Sequence, residues 1–165
     1  MRRVFAILPI LYACGDAPDD TGDAPESCEA TSNPLLEIAQ YGPYGELVDG
    51  SALLFGNPPQ GGAPYAPFSL RISGMDQGDL GMGIEMEAID SDTQELLGTG
   101  SYTQRFLCSN TGDNDGTFVG ADLHMRFFGW ALEDLDGRAA QVVITAANDD
   151  GIQVEASYLG VLERE

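Results

Sequence analysis

The run Leu80–Ala88, LGMGIEMEA, constrains this chain more than any other. Leu80, Met82, Ile84, Met86 and Ala88 fall on alternate positions, with Gly and Glu between them. A period of two is the repeat of a strand with one face in a core and one in water, whereas a helix needs 3.6. The pattern recurs. FSLRI puts Phe68, Leu70 and Ile72 on one face and Ser69 and Arg71 on the other. SYTQRFLC puts Tyr102, Phe106 and Cys108 on one face, and VGADLHMRF predicts Val119, Ala121, Leu123, Met125 and Phe127 facing inward. LLEIAQ (Leu35–Gln40) and SALLF (Ser51–Phe55) are shorter apolar runs, and AQVVITA and IQVEASYLGVL close the chain.

Gly, Asn, Asp or Pro clusters separate nearly every pair of runs. ANDDGIQ, Ala147–Gln153, reads as the hairpin turn between the last two strands. No stretch has the apolar stripe of an amphipathic helix. Seven or eight short strands in residues 35–165 predict an all-β domain, a single antiparallel immunoglobulin-like β-sandwich. A jelly roll or a small barrel is the alternative. The Cys, Trp, Cys pin of antibody domains is missing, so the expectation concerns architecture only.

The charge balance limits the partners. Asp and Glu number 27 against seven basic residues, all Arg, for a net charge of −20. Such a surface has nothing to replace the counterions around phosphates, so nucleic acid is excluded as a partner. Adsorption to anionic headgroups is disfavoured for the same reason.

The first fourteen residues carry a different signal. Arg2 and Arg3 precede VFAILPILYA, a ten-residue apolar segment too short to span a bilayer, for which about 20 residues are needed. It has the length of a secretory signal core. Leu11, Ala13 and Cys14 then fall as in a bacterial lipobox, with Tyr12 where a small residue is usual. The expectation is a lipoprotein signal peptide at 1–13, cleavage before Cys14, and acylation, palmitate included, on Cys14. Two or three acyl chains hold a protein firmly where one holds it marginally. A conventional cleaved signal with an unmodified Cys14 is the alternative.

Residues 14–34 follow as an acidic tether. Asp16–Pro34 contains six acids, three Pro and no base. Such a segment buries too little surface to offset its chain entropy, and like charges keep it extended. Signal, Cys and spacer together predict a protein of the bacterial cell envelope, lipid-anchored at the outer membrane and facing periplasm or exterior. With Cys14 acylated, Cys28 and Cys108 remain, and export favours a disulfide between them. Two free thiols, or Cys108 as a small buried hydrophobe, are the alternatives.

The stretch Asp49–Gly74 carries a resemblance. Cys28, Leu36-Glu37-Ile38-Ala39, Asp49-Gly50, Pro59-Gln60-Gly61-Gly62 and Leu70-Arg71-Ile72-Ser73-Gly74 together resemble a pattern of uncharacterised myxobacterial-type lipoproteins. Ala39 departs from a Gly, and Ala63-Pro64 from an aromatic and a His. The resemblance implies an anchored β-sandwich and brings no activity with it.

Catalytic and metal chemistry has few residues to stand on. PQGG offers backbone amides but no following Lys and no helix, so a turn is expected in place of a phosphate cradle. Asp113, Asp115, Asp149 and Asp150 lie in acidic turns and are weak calcium candidates; none completes an EF-hand loop. His124, the only His, falls out of phase with Leu123 and Met125 and is expected on the outer face. With His124 the only candidate His base and no G-x-S-x-G elbow, a hydrolase triad has little to stand on. Phe128 and Trp130 share a face, either as rim packing or as an exposed contact patch. The chain therefore reads as a non-enzymatic structural or interaction module, meeting the membrane through its lipid and an envelope protein or glycan through its domain. A calcium- or carbohydrate-binding sandwich is the alternative, and an envelope hydrolase the second alternative.

Overall fold

A computed structural model describes residues 28, 30, 33–40, 47–109 and 117–165. They form nine strands and one helical turn: β1 (Leu35–Gln40), β2 (Ala52–Phe55), β3 (Tyr65–Ser73), β4 (Met82–Asp90), β5 (Leu96–Gln104), β6 (Leu107–Ser109), β7 (Thr117–Arg126), α1 (Leu132–Leu135), β8 (Ala139–Ala147) and β9 (Gln153–Arg164). Hydrogen bonding runs β1-β3-β7-β5-β4-β8-β9-β2, with β6 on the free side of β7. The β7–β5 link is a single pair, Arg126 with Thr99. There the path folds into two layers, β1-β3-β7-β6 and β5-β4-β8-β9-β2. β1 lies against β9 and β2 against β3, which closes the other side. The layers match the four-strand and the extended layer of an immunoglobulin-like sandwich. Neighbours are antiparallel except β2, which runs parallel to β9 from Ala52–Val161 to Phe55–Arg164.

The alternation places the core. Met82, Ile84, Met86 and Ala88 of β4 and Ala140, Val142, Ile144 and Ala146 of β8 are fully buried or nearly so. They face Phe68, Leu70 and Ile72 of β3 and Leu123, Met125 and Phe127 from the β7 side. Phe55 meets Phe127 edge to face at 5.9 Å between ring centroids. The final hairpin turns at Asn148–Gly151, where the Gly151 amide donates to the Asn148 carbonyl.

Four sequence expectations are corrected. The strand count is nine, because SYTQRFLC breaks after Gln104 into β5 and β6. Leu80 is 75% exposed: it precedes β4, in a turn whose amide is held by Asp149. Val119 points outward, while Phe118 is buried. A β-bulge is the cause: Phe68 pairs with Leu123 but Leu70 with Gly120, and Asp122 takes a φ of +60°. The extra residue reverses the phase of β7, so only its second half keeps the expected face. Phe128 and Trp130 do not share a strand face, since β7 ends at Arg126 and the chain turns at Phe128-Gly129.

Cys28 is bonded to Cys108 in β6, 80 residues away. Cys28 is itself buried with the core. β1 and β6 are opposite edges of one layer.

Candidate functional site

The outer face of the β5-β4-β8-β9-β2 layer brings together exposed apolar rows, glutamates and a cleft. Inward burial of Val142, Ile144, Tyr158 and Leu162 sends their neighbours outward by the pleat. Cross-strand register then sets out rows. Leu96 faces Ile89, Ile89 faces Gln141, and Gln141 faces Leu159. The next row joins Ala139, Val161 and Ala52, and the one beyond it pairs Glu163 with Leu54. Leu96, Leu159 and Leu54 are 51%, 48% and 39% exposed. On the other side of the apolar rows lie Glu87 opposite Val143, then Glu85 and Glu155 on either side of Thr145.

Within this face is a cleft of about 320 Å³ lined by Asp49, Ser91, Gln94, Gln141, Ser157, Tyr158 and Leu159. Its walls are built from a tight fit between β9 and the segment before β2. Asp49 Oδ1 accepts the Leu159 amide at 2.9 Å, and the Gly50 amide donates to the Leu159 carbonyl at 2.6 Å. That clasp fixes the Asp49 carboxylate at the rim. The Tyr158 hydroxyl donates to the Ser51 carbonyl at 2.6 Å, and burial raises its pKa. Gly160 makes room for this approach: a Cβ there would lie 2.6 Å from the Ser51 oxygen.

The opposite wall is the β4–β5 turn, organised by buried Asp90. Asp90 Oδ1 accepts the amides of Asp92 and Thr93 at 2.9 and 2.8 Å, and Oδ2 accepts Arg138 Nη1 at 3.0 Å. The Thr93 amide above all, with the Asp92 amide and the guanidinium, holds this carboxyl below its usual pKa against the opposing effect of burial. Gln94 takes a φ of +61° and donates to the Ser91 carbonyl at 3.2 Å. Ser91 Oγ is buried without a hydrogen-bond partner in the protein. The residues that line the cleft thus carry one carboxylate, three hydroxyls and two amide groups, and none of them is cationic.

The residues singled out from sequence are dispersed. Cys14, Asp113 and Asp115 lie outside the described residues. Cys28 and Cys108 are brought together. Asp149 and Asp150 are exposed on the β8–β9 turn, where Asp149 Oδ2 accepts the Leu80 amide at 2.8 Å. Among the described residues no group of three or more His, Cys, Asp or Glu is placed to hold a metal. His124 lies on the outer face, its ring 4.6 Å from that of Tyr65. The PQGG loop is a turn closed by the Gly61 amide on the Pro58 carbonyl at 2.9 Å, and β3 follows it. Trp130 packs against the core with Arg138 4.4 Å above its ring, while Phe128 is 66% exposed. Gln94, Gln141 and Leu159 were not singled out by sequence, and Asp49 only as part of the Asp49-Gly50 piece of the resemblance. In SYLGVL every position but one is apolar or aromatic, so no alternation distinguishes Leu159 and Val161 from the core.

No protein-family model matches the chain, and no curated protein matches it in sequence.

Proposed function

We propose that the chain is an envelope lipoprotein: acylated Cys14 anchors it, the acidic segment spaces it from the membrane, and the immunoglobulin-like sandwich serves as a non-enzymatic interaction module. The observation that carries this reading is the order of parts along the chain, an apolar decamer, Cys14, then six acids without a base before the first strand. The Cys28–Cys108 bond supports it, because a disulfide belongs to exported proteins. It also fixes the end of the spacer to β6. The likeness to myxobacterial-type lipoproteins in Asp49–Gly74 agrees with this reading.

The test is fractionation of a bacterial host expressing the full chain and its Cys14→Ser variant with labelled palmitate. Label and protein together in the membrane fraction, both lost in the variant, are expected. Unlabelled protein in the soluble fraction of the wild type overturns the anchor.

A further inference from the structure

We propose that the outer face of the β5-β4-β8-β9-β2 layer docks a protein that presents an apolar strip flanked by Lys or Arg, with one cationic side chain entering the cleft between Asp49 and Gln141. The proposal deepens the interaction-module reading and rests on it.

Charge decides the occupant. The residues that point outward from these five strands include Glu85, Glu87, Glu155 and Glu163 and no Arg. The two ion pairs among the described residues do not neutralise them: Arg71 holds Glu37 on the opposite layer, and Arg138 is turned to buried Asp90. A second copy would set the same glutamates against these and add its own acidic charge, which disfavours it as the occupant. A basic surface gains where a second copy is repelled, and its steering adds association rate.

The apolar rows decide the kind of contact. Leu96, Ile89, Leu159, Val161 and Leu54 supply a patch for a dry centre, and the glutamates supply the polar rim of an ordinary protein interface. The cleft opens between them. Its acceptors, the Asp49 carboxylate foremost, match an ammonium or guanidinium, which has only donors.

The test uses the purified full chain and three synthetic peptides: alternating Leu and Lys, alternating Leu and Ser, and alternating Lys and Ser. Backbone amide shifts are followed in titrations at low and high salt. The expected result is saturable binding of the Leu–Lys peptide only, with shifts centred on Gln141, Ser157, Leu159 and Val161. Leu159→Ser should weaken it about tenfold, and Asp49→Asn should lessen its salt dependence. Leu107→Ser, at an exposed site on the opposite layer, should change nothing. The unperturbed amide spectrum of each variant confirms its fold. Equal binding of the Lys–Ser peptide with shifts spread over the acidic surface overturns the proposal. So does the absence of binding, or peptide-free self-association through this face. The titration is indifferent to lipid on Cys14, so its failure is distinct from failure of the anchor.

Discussion

The hydroxyl of Tyr102 donates to the His124 carbonyl at 2.7 Å and accepts from the His124 amide at 2.8 Å. One side chain of β5 thereby satisfies both backbone groups of a β7 residue where the two layers part. The opposite neighbour of His124 is Pro67, whose missing amide costs nothing there because the His124 backbone groups turn toward β5. Gly100 permits the approach, since a Cβ there would come within 2.9 Å of the His124 oxygen.

Tyr102→Phe leaves that amide and carbonyl without their partner at little change in volume. The expected loss is about 1–3 kcal/mol of unfolding free energy, read from urea denaturation with an unchanged slope. An unaltered midpoint would mean that the hydroxyl does not hold the layers together.

Reduction of the Cys28–Cys108 bond, or Cys28→Ser, frees a loop closed over 80 residues of separation. The chain-entropy relation gives a loss of about 4.5 kcal/mol. Denaturation with and without reductant checks it, and the Cys28→Ser variant should no longer respond to reductant.

Acid should weaken the fold through Asp90 and Glu37. The Thr93 amide, chiefly, lowers the Asp90 pKa, and the Arg71 guanidinium lowers that of Glu37. Folded values below unfolded ones mean that the unfolded chain takes up protons first as pH falls. The stability from these groups is whole above the ordinary carboxylate range near pH 4 and drains away as pH falls through the lowered folded values. Urea midpoints between pH 6 and pH 3 should fall, and less steeply in Asp90→Asn. Glu37 is partly exposed, so its pair contributes under about 1 kcal/mol.

The two adjacent phenylalanines give opposite expectations. Phe127 is fully buried against Phe55, so Phe127→Ala should cost about 3–5 kcal/mol. Phe128 is exposed in the turn, and Phe128→Ala should change stability by less than about 0.5 kcal/mol. Equal losses would return the segment to a strand with two covered faces.

Much of the fold is written in alternation. Met82 to Ala88 and Phe68 to Ile72 name their own inward faces, and Asn148-Asp149-Asp150-Gly151 names its turn. Phase is legible only while the strand stays regular. In β7 the residues on both sides of Asp122 alternate equally well, and one residue at positive φ reverses the first half, which no periodicity can register. The cleft is less legible still. Asp49, Gln94 and Gln141 come from three separate segments and meet only through the Leu159 clasp and the Asp90 turn.

Anchorage through Cys14, with the spacer bonded to β6, can be read from the intact mass of the chain recovered from host membranes. The expected chain begins at Cys14, carries acyl mass, has no free thiol, and gains two hydrogens on reduction. An unacylated N-terminus, or free thiols at Cys28 and Cys108 before reduction, would contradict it.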